Sequence, residues 1–296
     1  MEFGRLGVWT WLDALPGGEA VEFTARIAAL GYRALWLPEA VGRDPFALIA
    51  WLAARTEGIG FCTGIANIYA RDAVTMRAIQ QTLGELAPGR VALGLGVSHA
   101  HLVSGVRGHA YEKPVATMSA YLDAMQKALY VGPKPGVEAP VVIAALRPKM
   151  LALAAAKTRG AHPYFVPPEH TKRAREILGK GPLLLPEQMV MLETDASKAR
   201  AAARAAMKVY LGLPNYQNNL LWLGYSQDDF ANGGSDRLVD AIVAWGDEKA
   251  IAARVKAHHD AGADHVCIQP LRSDGKPVPD ERILEALAPG RASAAR

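Results

Sequence analysis

The stretch Arg90-Val91-Ala92-Leu93-Gly94-Leu95-Gly96-Val97-Ser98-His99 decides how the rest of the chain is interpreted. Its valine and leucine residues predict a buried strand, which runs into a glycine-containing turn and then into polar residues. The glycines at 94 and 96 indicate that something approaches the backbone closely. Two interpretations follow: a flat cofactor ring lies at the C-terminal end of this strand, or the stretch is a tight barrel corner without a ligand.

Short apolar runs alternate with helical patterns along the whole chain. Strands are predicted at 5–11, 33–37, 59–67, 90–99, 141–145, 161–166, 183–192 and 262–269. Eight such repeats predict an α/β fold, a (β/α)₈ TIM barrel. The alternative is a doubly wound sheet, but no Gly-x-Gly-x-x-Gly turn follows the first strand. We expect one domain over 1–296, with a helical insertion near the C-terminal side at about 212–246 that contains helices at 214–223, 227–232 and 236–245.

Composition excludes several classes of function. The 33 basic and 29 acidic residues leave a net charge of only +4, and no basic stripe is interleaved with aromatic residues, so nucleic acid is not an expected partner. Cys62 and Cys267 stand far apart in apolar runs, which predicts buried free thiols rather than a disulfide or zinc site. The sequence shows neither a signal peptide pattern nor an apolar run of about 18 residues, so we expect a soluble cytoplasmic protein.

Chemistry in a barrel belongs at the C-terminal ends of the strands, which directs attention to Glu39 and His99. Glu39 follows the second strand and is a candidate base or ligand-binding group, although Arg43 or Arg71 could instead pair with it. His99 follows the fourth strand, where an imidazole could transfer protons near neutral pH. No metal site is expected, because His99, His101 and His109 lack a further ligand at a familiar spacing.

The junction after the fifth strand favours an anion. Pro148 suits the first turn of a helix, whose free N–H groups attract negative charge, and Arg147 and Lys149 add positive charge there. We therefore predict phosphate binding at the junction Ala144-Ala145-Leu146-Arg147-Pro148-Lys149. The alternative is a tight strand-to-helix corner with solvated charges.

Four motifs in order resemble those of the bacterial-luciferase-like flavin and deazaflavin oxidoreductases, in particular the branch that uses coenzyme F420. The motifs are Leu-Trp-Leu-Pro-Glu at 35–39, Thr-Gly-Ile-Ala-Asn at 63–67 with Arg71, Pro-Gly-Arg-Val-Ala-Leu-Gly-Leu-Gly at 88–96, and Pro-Val-Val-Ile-Ala-Ala at 140–145 with Pro148 and Lys149. The resemblance covers nearly the whole chain, and none of the four motifs is specific by itself.

The resemblance implies a cofactor site at the barrel's C-terminal rim. A tricyclic ring would lie against a bulge in the third strand, where a cis peptide bond is expected at Gly64–Ile65. The ring site would include Glu39 and further residues of the third and fourth strands, which are Gly64, Ile65, Ala66, Asn67, Gly96, Val97 and Ser98. The phosphate tail would lie at 145–150.

The function implied is hydride transfer between F420 and a small organic substrate, with the cofactor carrying the chemistry. Glu39 would polarise the substrate or the ring, and His99 would be the general acid or base. Two departures from the family pattern leave the proton donor open: Ala40 stands where several members have histidine, and His99 where some have glutamate. Alternatives are an FMN-dependent monooxygenase and a non-catalytic cofactor-binding protein. Segments 99–113 and 213–235 would cover the substrate, and a homodimer is left open.

Overall fold

The computed structural model describes residues 1–290 as a ring of parallel strands surrounded by helices. The strands are β1 (Leu6–Trp9), β2 (Ala34–Leu37), β3 (Gly60–Thr63), β4 (Ala66–Asn67), β5 (Val91–Gly96), β6 (Val141–Ile143), β7 (Gly160–Ala161), β8 (Leu183–Leu184), β9 (Glu187–Leu192), β10 (Val243–Gly246) and β11 (Val266–Leu271).

The helices between these strands follow the predicted alternation. They are α1 (Gly17–Ala29), α2 (Pro45–Ala53), α3 (Ala73–Leu86), α4 (Pro114–Lys127), α5 (Pro148–Lys157), α6 (Pro168–Leu178), α7 (Ala196–Leu211), α8 (Pro214–Leu223), α9 (Asp236–Ile242), α10 (Glu248–Asp260) and α11 (Glu281–Ala286). A π-helical turn (His101–Val106) follows β5, and a 3₁₀ segment (Gln227–Gly233) follows α8. No helix in this described part of the chain has the length and apolar character to cross a bilayer.

The strand order closes the barrel through the segment that contains β8 and β9. The path runs β11, β1, β2, β3, β5, β6, β7, β8, and every pair is parallel. β8 pairs with β7, whereas β9, only two residues further on, pairs with β11. A single stretch of chain therefore belongs to both edges of the sheet, which completes the predicted (β/α)₈ ring.

Several predicted boundaries were wrong, and tertiary pairing explains them. The predicted third strand, 59–67, is divided into β3 and β4, and the predicted sixth strand, 161–166, shares only Ala161 with the two-residue strand β7. The segment 99–113 was predicted to be irregular but contains the π-helical turn. Cys62 and Cys267 are both buried free thiols, as predicted.

The insertion also differs from its prediction at one point. Helix α9 ends at Ile242, and Val243–Gly246 is a strand rather than the end of a helix, because it pairs with β9 from Met189 to Leu192. The apolar pattern of 236–245 is compatible with either structure, and the neighbouring strand decides. The 3₁₀ segment before α9 is held by Asp229, whose carboxylate accepts hydrogen bonds from Ser226 and Ser235.

Candidate active site

The third strand is interrupted at the barrel rim by a cis peptide bond between Gly64 and Ile65, which confirms that prediction. Neighbouring strands hold this bulge by hydrogen bonds. Trp9 Nε1 donates to the Gly64 carbonyl at 2.8 Å, and the Gly64 N–H donates to the Leu37 carbonyl at 2.8 Å. On the other side, Thr63 Oγ1 donates to the Gly94 carbonyl at 2.7 Å. The bulge is therefore tied to β1, β2 and β5.

The two glycines of β5 make room for this bulge. A β-carbon on Gly94 would overlap the carbonyl oxygen of Thr63, and one on Gly96 would overlap the δ-carbon of Ile65. The close approach that the glycines predict is therefore made by the protein's own third strand. A cofactor ring at the C-terminal end of β5 stays a prediction.

Glu39 is a structural partner of the bulge. Its Oε2 accepts a hydrogen bond from the Asn67 N–H at 2.7 Å, and its Oε1 pairs with Arg71 Nη1 at 2.8 Å. The two side chains are only 6% and 12% exposed, and Arg71 also pairs with Asp44. Arg43, the other predicted partner, instead donates to the carbonyls of Leu12 and Leu15. The carboxylate of Glu39 is thus already occupied by protein groups that position β4.

His99 lies half-buried between the π-helical turn and the insertion. Its ring centroid is 5.6 Å from that of Tyr216 and 6.0 Å from that of His101. Burial, together with the neighbouring His101, lowers the pKa of His99 to about 4, while a hydrogen bond with Asn215 opposes the shift. The imidazole is therefore neutral at physiological pH, when it can accept a proton but has none to give as an imidazolium.

The junction between β6 and α5 is an uncapped and positively charged helix start. Helix α5 begins at Pro148, no side chain of the N-cap residue Arg147 bonds its N–H groups, and its first turn has no acidic residue. Helices α2, α3 and α10 are instead capped by aspartates. Arg147 and Lys149 are exposed, and neither forms an ion pair with a carboxylate of residues 1–290.

Burial, a hydrogen bond and packing fix the position of the junction between β6 and α5. Ala145 is buried, and the Leu146 carbonyl lies 2.6 Å from Nε2 of His170. Met150 packs against the core beneath the first turn of the helix. Above, Tyr111 of the 99–113 segment donates to the Ser98 carbonyl at 3.3 Å, and the nearby charge of Arg147 opposes the rise that burial causes in the pKa of Tyr111. The residues predicted to bind phosphate and the segment predicted to cover the site therefore adjoin each other.

A cavity of about 700 Å³ lies on the outer side of the bulge. Glu39, Arg71 and Tyr69 line it from the strand ends, and Arg107 and His109 line it from the segment that follows β5. Arg107 donates to the Ala40 carbonyl at 3.3 Å, which connects the two walls. The space between β2 and the π-helical turn is therefore accessible from the rim.

A cluster of aromatic and polar side chains, to which the sequence analysis assigned no role, lies on the opposite side of the rim. Tyr164 follows β7, and its hydroxyl lies 2.7 Å from that of Tyr210 and 2.9 Å from Oε1 of Gln269. Its ring centroid is 5.0 Å from that of Trp9 and 6.2 Å from that of Tyr216. Tyr210 belongs to α7 and Tyr216 to α8, so the insertion brings one of the three phenols to the barrel and the helix before it brings another.

The sequence analysis also assigned no role to Glu187. A single carboxylate within the apolar run Leu-Leu-Leu-Pro-Glu-Gln-Met-Val-Met could have identified it as a candidate functional residue. It is fully buried at the start of β9, where Oε2 accepts from the Phe165 N–H at 3.2 Å and Oε1 has no partner within residues 1–290. Burial raises the pKa of Glu187 to about 8, which keeps the carboxyl neutral at pH 7.

His162 also has a buried polar atom without a hydrogen-bond partner among the described residues. Its Nδ1 lies 2.7 Å from the Leu185 carbonyl, and a carbonyl only accepts, so Nδ1 carries the hydrogen and Nε2 a lone pair. Nε2 is buried without a donor among the described residues and faces Gly64. The ring stacks on Trp36 with centroids 4.4 Å apart, and burial lowers the pKa of His162 to about 4.

The model of the luciferase-like monooxygenase family matches residues 5–265. The chain belongs to this family. Membership of the luciferase-like family agrees with the resemblance that its motifs carry.

Two curated luciferase-like relatives match part of the chain. A Mycobacterium tuberculosis protein that is named as a coenzyme F420-dependent oxidoreductase is 30% identical over 123 residues, which are 42% of this chain and 35% of that protein. The 5,10-methylenetetrahydromethanopterin reductase of Methanolobus tindarius is 25% identical over 201 residues, 59% of this chain and 61% of the reductase. The match thus spans about a third of the length of the Mycobacterium tuberculosis protein and about three fifths of the length of the reductase.

Solved structures share the luciferase-like barrel over almost its full length. An F420-dependent secondary alcohol dehydrogenase in complex with an F420-acetone adduct superimposes with a TM-score of 0.76, covering 97% of this chain and 98% of that one. The oxygenating constituent of 3,6-diketocamphane monooxygenase from Pseudomonas putida, in complex with FMN, has a TM-score of 0.70 and covers 96% of both chains. Each is 15% identical to this chain, so the likeness confirms the fold alone.

Proposed function

We propose that this oxidoreductase is F420-dependent and catalyses hydride transfer between that cofactor and a small, neutral organic substrate. The observation that carries the proposal is the uncapped start of α5 beside the bulge, with Arg147 and Lys149 both free of carboxylate partners in residues 1–290. Free helix N–H groups together with two cations suit a phosphate. One of the curated relatives supports the choice of cofactor, because it is named as a coenzyme F420-dependent oxidoreductase.

The residues present fit a phosphate-bearing tricyclic cofactor. The unpaired Nε2 of His162 is a buried polar atom aimed at the bulge, on the side where Gly64 leaves room. We assign the ring to the surface of Gly64, Ile65, Ala66 and Asn67, with Gly96, Val97 and Ser98 along its edge. The tail is assigned to Ala145, Leu146, Arg147, Lys149 and Met150. When bound, the deazaflavin would supply the carbon that gives or accepts the hydride.

The protein's own residues would orient the two reactants and manage protons. Glu39, which we expected to act as a catalytic group, acts instead as a positioning residue, because its carboxylate is engaged by Arg71 and by the Asn67 N–H. His99 is neutral, so it would accept a proton when an alcohol is oxidised. The 99–113 segment and α8 would exclude water from the rim.

The second candidate is an FMN-dependent monooxygenase. The observation that favours it is the full-length likeness to an FMN-bound enzyme, together with a phosphate corner that suits either cofactor. A protein that binds a cofactor without turnover is the remaining alternative, and it would convert no member of a panel of alcohols, ketones and enones.

A titration of the purified protein with F420 and with FMN, followed by quenching of tryptophan fluorescence, tests the proposal. We expect F420 to bind at least tenfold more tightly than FMN. Tighter binding of FMN would favour the monooxygenase, and binding of neither would overturn the proposal.

The variant Lys149→Glu tests the phosphate corner. Reversing this charge should weaken F420 binding about tenfold, the equivalent of ~1.4 kcal/mol, with a larger effect at low salt. Lys249→Glu is the matched control, because Lys249 is also the second residue of a helix, α10, but that helix is capped by Asp247. Equal effects of the two variants, or none, would mean that the phosphate binds elsewhere.

A further inference from the structure

The phenol cluster that follows β7 and β11 is a polar site with unused hydrogen-bonding capacity. A phenol has one hydrogen, so the Tyr164 hydroxyl can donate only one of its two short hydrogen bonds and must accept the other. Gln269 Oε1 only accepts, and Tyr164 therefore donates to Gln269 and accepts from Tyr210. In this chain of hydrogen bonds the Tyr210 oxygen keeps its lone pairs, and Gln269 Nε2 has no acceptor within residues 1–290.

The surroundings of these polar groups are apolar and uncharged. The rings of Trp9, Phe165 and Tyr216 form the walls, with Trp9 5.0 Å from Tyr164 and Phe165 5.1 Å from Tyr210. No lysine or arginine of residues 1–290 makes a hydrogen bond, ion pair or ring contact with Tyr164, Tyr210 or Gln269. Glu187 lies beneath the phenols and is the nearby acid, so an anionic ligand finds no counter-charge here.

The cluster also adjoins the bulge through a single side chain. Trp9 donates from Nε1 to the Gly64 carbonyl, and its ring packs against Tyr164. A molecule seated on Tyr164 would therefore lie beside the surface to which we assign the cofactor ring. Tyr164 and Tyr210 are each partly exposed, whereas Trp9, against which Tyr164 packs, is buried.

We infer that Gln269, oriented by Tyr164 and Tyr210, binds the oxygen of a neutral carbonyl or secondary alcohol substrate. The free Nε2 amide of Gln269 donates to that oxygen, the Tyr164 hydroxyl holds the amide in place by donating to Oε1, and the aromatic walls hold the apolar body of the molecule. This inference rests on the proposed function and names the substrate class of the same site. It makes Gln269 a specificity-determining residue of β11 and makes Tyr164, in the loop after β7, the residue that positions its amide.

The test measures binding rather than turnover, with cyclohexanone and 2-cyclohexenone as probes and cyclohexanecarboxylate as the anionic comparison. Dissociation constants are obtained by ligand-observed NMR, with and without F420. The wild type should bind both ketones, and should bind them at least fivefold more tightly than the carboxylate. Gln269→Leu should weaken ketone binding about fivefold, the usual effect of losing one neutral hydrogen bond, and Tyr164→Phe should do the same because the Gln269 amide loses the hydroxyl that orients it.

Tyr130→Phe is the control, because its hydroxyl meets only Thr82, at the surface. It should leave ketone binding unchanged, and Tyr164→Phe should leave F420 affinity within twofold of the wild type. Thermal unfolding of each variant identifies any that fails to fold, and the other substitution then carries the test. Unchanged ketone binding in Tyr164→Phe, tighter binding of the carboxylate, or a wild type that binds neither ketone would overturn the inference. Failure of the proposed function has a different signature: ketones bind, but neither F420 nor FMN does.

Discussion

The rim of the barrel has two halves that satisfy their polar groups differently. In the first half, residues 6–96, the bulge is held by paired groups: Trp9 bonds Gly64, Thr63 bonds Gly94, and Glu39 bonds both Arg71 and Asn67. In the second half, residues 160–271, Glu187 Oε1 and His162 Nε2 are buried without partners among the described residues. Paired groups fix a geometry, whereas unpaired ones retain the capacity to bind. We therefore regard the first half as the support and the second as the half that recognises the substrate.

The largest expected difference between the halves is in their response to acid. His162, His170, His258 and His265 all lie in the second half, and burial lowers their pKa values to about 4, 4, 3 and 3. In the unfolded chain these groups titrate near 6.5, so the unfolded state binds more protons between pH 6.5 and 4. Their stabilising contribution is present above pH 6.5 and is lost as the pH falls.

At pH 5 each of these histidines should lower the free energy of unfolding by about 2 kcal/mol, and the four together should lower it by several kcal/mol. Urea unfolding at pH 7.5, 6.0 and 5.0 measures this effect, and the slope of the unfolding free energy against pH gives the number of protons taken up. We expect a slope of about three protons or more near pH 5.5. A flat profile would contradict the neutral, buried state of these side chains.

The next largest effect is expected from breaking the ion pair in the first half. Arg71→Met leaves Glu39 buried, 6% exposed, without its cation. Loss of one partner of a buried pair typically costs about 3–5 kcal/mol, because the remaining charge is uncompensated. Chemical denaturation at pH 7.5 measures this cost.

Arg26→Met provides the comparison, since the Arg26–Glu281 pair is 51% and 43% exposed and should contribute less than about 1 kcal/mol. If both variants lose the same small amount, Glu39 is not held by Arg71, and the description of the first half as a fully paired support fails.

The smallest effect concerns the contact between β5 and the bulge. A β-carbon at position 96 would overlap the side chain of Ile65, so Gly96→Ala should lower the unfolding free energy by about 1–3 kcal/mol. Combining it with Ile65→Ala should recover at least about 1 kcal/mol of that loss, which a double-mutant cycle measures. Strictly additive effects would show that the two positions do not touch. Gly18→Ala, where the added carbon meets nothing, is the neutral control.

The sequence predicted most of the architecture because hydrophobic period and turn residues are local properties. The eight strand positions, the cap residue Asp72 of α3 and the start of α5 at Pro148 were all readable in this way. Strand ends were less accurate, since a strand extends only as far as its neighbour pairs with it. The predicted sixth strand accordingly shortened to Gly160–Ala161, and Val243–Gly246 became a strand beside β9.

The candidate site was likewise predictable in part, where its residues follow from local sequence. The sequence placed Glu39, His99 and the 145–150 corner at one rim, because the C-terminal ends of parallel strands must share an edge. It could not choose between Arg43 and Arg71 as the partner of Glu39, nor recognise that Gly94 and Gly96 make room for the bulge. Those outcomes depend on which side chains meet across strands that are distant in the sequence.

The sequence by itself therefore determined the barrel, the chain's family resemblance and the rim that carries chemistry, because these follow from periodicity and from motifs within single strand ends. Only the tertiary structure decided that Tyr164, Tyr210 and Gln269 share a hydrogen-bonded chain, since they are separated by 46 and 105 residues in sequence. It also decided the protonation of Glu187 and His99, because a pKa depends on burial and neighbours that no local pattern encodes.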